Sequence, residues 1–148
     1  MSDRREPKDV AEPRLGPLAR LPVFLSLEGK RAVVAGGSAA AAWKAELLLA
    51  SGARVEVYAT DVCDELQQLA ADPPRGAIVI HRCTWSADNF DDAAIAVGAF
   101  EDDEGATAFA AAARAAGVPV NVIDRPAFCD FSFGAIVNRI SRYGSMTS

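Results

Sequence analysis

Apolar and polar positions follow two periods along this chain. Ala32 to Ala35 is a short unbroken apolar run, of the kind carried by a strand buried on both faces. Gly36 and Gly37 follow, and an alanine-dominated stretch of high helix propensity then predicts a helix over 39–51, closed by Gly52. A 3.6 period sets Ala40, Trp43, Leu47 and Ala50 on one face of that helix, with Trp43 as a packing residue. Arg54 to Ala59 alternates and is rich in β-formers, which predicts a second strand. A helix over 62–70 follows and ends at Pro73-Pro74-Arg75-Gly76. Apolar runs predict strands over 77–83, 93–99 and 119–123, with a helix over 105–116 stopped by Gly117. Ahead of them all, Leu21 to Leu27 is apolar and extended, and counts as one more strand leading through Glu28-Gly29-Lys30 into residues 31–35.

Strands alternating with helices across short connections give the α/β class: a Rossmann-like, doubly wound, mainly parallel sheet in a single domain. Residues 1–19 are charged, carry Pro7, Pro13 and Pro17, and show no hydrophobic period, so they read as a disordered segment. The folded domain is expected over 20–139, with a tail over 140–148.

Composition narrows the function. The 148 residues make one domain, able to bury roughly two-thirds of its surface. No apolar run is long enough to span a bilayer, and the polar start has no secretory h-region, so a cytoplasmic protein without a membrane partner is expected. A net charge of −5 argues against nucleic acid as a partner. Acidic runs at Glu101 to Glu104 and around Asp88 to Asp92 read as solvated loops or helix N-termini. Cys63, Cys83 and Cys129 have no metal-ligand spacing and read as buried free thiols, with no metal site. His81, the only histidine, has no nearby partner in the sequence and reads as structural.

The candidate chemistry gathers where the strands end, because open α/β sheets bind ligands at the carboxyl edge. Four such ends are Gly36 to Ser38, Thr60–Asp61, Gly98 to Phe100 and Asn121 to Asp124. Gly36-Gly37-Ser38-Ala39-Ala40-Ala41 approximates the dinucleotide fingerprint, with Ser38 where the second glycine usually stands. A helix N-terminus there would hold a pyrophosphate; the alternative is a glycine turn that merely joins strand to helix. Asp61 lies 25 residues after Gly36, near the acid that bonds the cofactor ribose, and is equally placed to cap the next helix. Gly98 and Ala99 are small where the chain would pass under a cofactor. Asp124, directly after the last strand, suits a general base facing a nicotinamide, or else a turn-forming residue before Arg125-Pro126.

Four stretches carry a resemblance: Leu21-Pro-Val-Phe-Leu-Ser-Leu-Glu-Gly-Lys30; Val33 to Lys44 with Leu47 to Leu49 and Gly52 to Val55; Ile95 to Asp103; and Asn121-Val-Ile-Asp-Arg-Pro-Ala-Phe-Cys-Asp-Phe131 with Gly134 to Arg139. On these the chain resembles the N-terminal dehydrogenase/chelatase module of siroheme synthase, the precorrin-2 dehydrogenase/sirohydrochlorin ferrochelatase family, over about residues 21 to 139. The resemblance implies NAD⁺-dependent oxidation of precorrin-2 to sirohydrochlorin, then insertion of ferrous iron as a substrate to give siroheme. It implies that Asp124 serves both steps and that Ala39–Ala40 meet the cofactor pyrophosphate. Thr60–Asp61 would meet the adenosine ribose, and Gly98, Ala99 and Phe100 would lie on the nicotinamide side. The acid Asp61 favours NAD over NADP, since it repels a 2′-phosphate. The tetrapyrrole is a polyanion, so Arg125, Arg139 and Arg142 are candidate cationic contacts, with Asn121 beside them.

The chain departs from the family at Ser38, where a third consecutive glycine is usual, and at Phe100, where Thr is usual. The family also continues past the Asn138-Arg139 pair into a dimerisation region that closes the active site. The expectation is a truncated or split module, completed as a homodimer or by a separately encoded C-terminal partner. A non-catalytic NAD(H)-binding module is the second reading. A methyltransferase using S-adenosylmethionine is a third, which the stretch Asn121 to Phe131 argues against.

Overall fold

The computed structural model describes residues 14–134. The expected disorder at 1–13, the stretch 135–139 and the tail 140–148 lie outside the described residues. Five strands form one sheet: β1 (Arg31–Ala35), β2 (Arg54–Tyr58), β3 (Ala77–His81), β4 (Ala93–Gly98) and β5 (Val120–Val122). Among the described residues three α-helices follow β1, β2 and β4: α1 (Ala39–Ala50), α2 (Asp64–Ala71) and α3 (Asp103–Ala115), while a 3-10 turn over Ala87–Phe90 lies between β3 and β4. Every pairing is parallel and the order is β3-β2-β1-β4-β5, as expected of a doubly wound sheet. The chain leaves β1 toward β2, and later returns from β3 to β4 on the other side of β1. The crevice between β1 and β4 is therefore the switch point at which such sheets bind ligands.

The sheet divides two apolar layers. On one face α1 and α2 pack Ala41, Ala45, Leu48, Leu49 and Leu66 against Ala32, Val34, Val55, Val57 and Val97. On the other, α3 packs Phe109, Ala110 and Ala113 against Val33, Ala96, Val120 and Val122, with Phe90 filling the end of the layer. Buried alanines bring α1 and α3 close to the sheet, and the large residues fill what remains. Emptying a position such as Leu49 costs about 2–5 kcal/mol.

Three expectations are corrected. Leu21 to Leu27 is not a strand: Leu21, Val23, Phe24 and Leu25 are exposed, and only Leu27 is buried. The physical reason is the sheet order, since β1 already has β2 and β4 on its two edges and offers none to the segment that feeds it. The buried face of α1 is Ala41, Ala42, Ala45, Leu48 and Leu49, which leaves Trp43 52% exposed. A helix of alanines carries too little apolar asymmetry to reveal its phase; the exit from β1 sets it. The thiols are free, but Cys83 is exposed and the other two are half-buried.

Candidate functional site

Each residue of the glycine turn has its own reason. Gly36 has φ +123°, a region closed to most side chains, and a Cβ there would lie 3.1 Å from Ala99 Cβ across the switch crevice. At Gly37 a Cβ would fall 1.9 Å from the carbonyl oxygen of Asp61. That approach is held by the Cys63 N–H, which donates to Gly37 O at 2.8 Å. Ser38 is the N-cap of α1, its Oγ accepting from Ala41 N–H at 3.3 Å. The N–H groups of Ala39 and Ala40 have no acceptor within the helix and lie at its positive end, where a pyrophosphate fits.

The ends of β1, β2, β4 and β5 enclose one cleft of about 840 Å³, in the range of small-molecule and cofactor sites. Of the residues expected at the site, Gly36, Gly37, Ser38, Ala40, Thr60, Asp61, Ala99, Phe100, Asp124 and Arg125 line it. Ala39, Gly98 and Asn121 do not. Gly98 lies beneath, where a Cβ would strike the rings of Phe100 and Phe109 at 2.5 and 2.8 Å. Asn121 is 7% exposed and its Nδ2 donates to Phe131 O at 2.9 Å, tying the chain after β5 back to the sheet. Asp61 is not the cap of α2; that position belongs to Cys63, which makes no side-chain cap bond. The acidic run is a helix N-terminus, with Asp102 accepting from Gly105 N–H at 2.8 Å.

Asp124 occupies the third place of a turn closed by Arg125 N–H donating to Val122 O at 3.1 Å. Its φ is +62°, where glycine or asparagine is favoured, and an L-residue there costs about 1–2 kcal/mol. Arg125 turns back from this point: its Nε donates to Phe100 O at 3.0 Å and its guanidinium pairs with Asp103.

Sequence reasoning missed Tyr58, Cys63, Thr84 and Trp85, which also line the cleft. Tyr58 belongs to a polar cluster on the α3 side of the sheet. Glu56 accepts from Arg31 Nε at 2.7 Å and from the Tyr58 hydroxyl at 3.1 Å. His81 Nε2 lies 3.1 Å from the same carboxylate, and its ring stacks on Tyr58 at 4.6 Å. The hydrogen bond from Arg31 holds the Glu56 carboxyl down at about 2, while burial pushes the Tyr58 hydroxyl up. His81 therefore has partners, brought to it by strand pairing across β2 and β3. Residue alternation along β2 and β3 was the available signal for this cluster.

Among the described residues no group of three or more His, Cys, Asp or Glu is placed to hold a metal ion, and no helix is long and apolar enough to cross a membrane.

Comparison with known proteins bears on this cleft. The chain is 38% identical over 120 residues to siroheme synthase of Nitrosomonas europaea, covering 80% of this chain and 25% of that protein. It is 44% identical over 124 residues to siroheme synthase of Thiobacillus denitrificans, covering 80% and 24%. It thus spans about a quarter of the length of these relatives. The solved structure of SirC, precorrin-2 dehydrogenase, shares the fold with a TM-score of 0.55 and 22% identity, over 86% of this chain and 60% of that one. A family model described as "Putative NAD(P)-binding" matches residues 23–135, the span that holds the whole sheet and the glycine turn. With a doubly wound sheet, a helix N-terminus at the switch point and this match, the chain belongs to that NAD(P)-binding family.

Proposed function

We propose that this protein uses NAD⁺ to oxidise precorrin-2 to sirohydrochlorin, and that it assists entry of ferrous iron as a substrate to give siroheme. The observation that carries the reading is Asp124, on the same cleft as the glycine turn and the Thr60–Asp61 end of β2. The relatives named siroheme synthase, which match over 80% of this chain, support the choice of substrate.

NAD⁺, when bound, supplies the hydride acceptor. The start of α1 holds its pyrophosphate through the N–H groups of Ala39 and Ala40, and Asp61 accepts from the ribose hydroxyls. Asp61 also disfavours a 2′-phosphate, hence NAD over NADP. Precorrin-2 gives up one hydride and one proton; the Asp124 carboxylate takes the proton and passes it to solvent, so that NADH and H⁺ are the co-products. The same carboxylate receives pyrrole N–H protons as iron enters. Arg125 lines the rim of the cleft on the substrate side in this reading, while Asn121 stays buried behind it on Phe131 O. Residues 20–139 act as the NAD-binding unit in the cytoplasm, and a second copy of this unit contributes to the substrate side.

The test has two stages. NAD⁺ is titrated calorimetrically into the full chain and into Asp61→Ala, which should bind about ten-fold more weakly. NADH formation from precorrin-2 is then followed for the wild type and for Asp124→Asn, a change that tolerates the left-handed backbone where alanine would not. Loss of turnover with NAD⁺ binding retained is expected. An Asp124→Asn protein that turns over at the wild-type rate would overturn the assignment. NAD⁺ binding without any turnover by the wild type would point to a module that needs a partner.

A further inference from the structure

Asp124 stands in a backbone conformation that costs free energy, and the chain around it is built to keep it there. On its N-terminal side, Ile123 N–H donates to Gly98 O at 2.8 Å, continuing the β4–β5 ladder one residue past the strand. On its C-terminal side Arg125 reaches across the cleft rim from the turn. Its Nε donates to Phe100 O at 3.0 Å, and its guanidinium pairs with the Asp103 carboxylate. Both anchor points sit on placed main chain, although the Asp103 carboxylate itself is largely exposed. The Phe100 ring packs on Phe109 with centroids 5.2 Å apart, and Asp103 opens α3 directly after the Asp102 cap. The carbonyl of Arg125 accepts from Phe128 N–H at 3.0 Å, so the residue is held at its main chain as well.

A cation committed to a backbone carbonyl and a carboxylate, and only 25% exposed, has little left to offer a polyanionic substrate. We infer that Arg125 is a positioning residue: its fork on Phe100 O and Asp103 latches the β5 turn to the β4–α3 loop and so holds Asp124 in the left-handed conformation that presents it to the cleft. The inference rests on the proposed dehydrogenase reading for its kinetic consequence, and on the geometry alone for its structural one. It assigns Asp103, which lies 21 positions before Asp124 in sequence, to the same device.

Two readouts test it on the full chain. Amide hydrogen exchange at Arg125 N–H reports the closing bond of the turn, and does not need a substrate. Asp103→Asn and Arg125→Gln should each accelerate it about ten-fold or more, while Ala99 N–H, bonded to Ala35 O at 2.9 Å, exchanges as in the wild type. In precorrin-2 oxidation each variant should lower kcat about ten-fold with KM for precorrin-2 and affinity for NAD⁺ held within about two-fold. The double variant should be no slower than either single one, since both remove one latch. Arg125→Lys, which keeps the pair with Asp103 but not the fork, should recover part of kcat. If Arg125→Gln raises KM with kcat unchanged while Asp103→Asn does nothing, Arg125 is a substrate contact and the latch is wrong. If the wild type does not oxidise precorrin-2, the dehydrogenase reading fails by itself, and unchanged exchange at Arg125 would separately overturn the latch.

Discussion

Gly37 offers the sharpest separation between motif reasoning and physical reasoning. In the dinucleotide fingerprint it falls on an unconstrained position, so alanine there ought to be harmless. Its φ is not in the left-handed region, so the backbone raises no objection either. The objection is space. A Cβ at Gly37 would lie 1.9 Å from Asp61 O, 2.9 Å from Asp61 C and 3.0 Å from Val62 Cα. All three are backbone atoms, and no rotamer change can move them. To reach even 3.0 Å, the Gly37 turn and the β2–α2 loop must separate by at least 1.1 Å.

That separation stretches the 2.8 Å bond from Cys63 N–H to Gly37 O, which joins the two loops, and it moves Asp61 away from the glycine turn. Overpacking of this kind costs about 1–3 kcal/mol, and the lost hydrogen bond about 1 kcal/mol more. For a domain of this size that lowers Tm by roughly 5–15 °C. In the proposed reading the two loops meet opposite ends of one dinucleotide half and must keep their spacing, so NAD⁺ affinity should fall about ten-fold or more. Circular-dichroism melting and calorimetric titration of Gly37→Ala read both quantities. Gly16→Ala is the control, since a Cβ there meets nothing within 4 Å. A Gly37→Ala protein that melts within about 2 °C of the wild type and binds NAD⁺ equally would refute the reasoning, and with it the view that loop packing demands this glycine.

Two further outcomes follow from the hydrogen bonds around the cleft. The Glu56 carboxyl is depressed from 4.5 to about 2 in the folded protein, so its contribution is present above the unfolded value and is lost as pH falls from about 5 towards 2. Glu56→Gln should lose about 1–3 kcal/mol at neutral pH and show a flatter decline in stability across that acid window; urea melts at pH 7 and pH 3 compare them, and parallel curves would exclude the linkage. Ser38→Ala should destabilise by about 1 kcal/mol through loss of the α1 cap, and Ser38→Gly by only a few tenths. If Ser38→Ala also abolishes NAD⁺ binding, the hydroxyl meets the cofactor directly as well as capping the helix.

Much of the fold was legible because strands and helices here announce themselves locally. The runs at Ala32 to Ala35, Arg54 to Ala59 and Ala93 to Ala99 are apolar or alternating, and each lies within a residue of an observed strand. The alternation of strand and helix then required parallel pairing, because short chains between parallel strands have to cross a face. Gly36 to Ser38, Thr60–Asp61 and Asp124 were legible as cleft-lining residues for the same reason: each lies within three residues after a strand, and strand ends share one edge of a parallel sheet.

What the sequence left open depended on partners far away in the chain. Leu21 to Leu27 has the composition of a strand, but whether a strand forms depends on a free edge, and the sheet order had used both edges of β1. Trp43 is outward because the phase of an alanine helix is set by how it leaves the sheet. His81 has no partner within its own stretch, yet parallel pairing places it beside Tyr58 and within reach of Glu56. Arg125 looked free to meet an anion until the β4–α3 loop supplied Phe100 O and Asp103. The sequence by itself determined the strands, the glycine turn and which residues end at the cleft, since those follow from local periodicity and backbone preference. Tertiary structure alone decided which side chains are already spent on one another, because hydrogen bonds and close packing join residues that only the sheet order brings together.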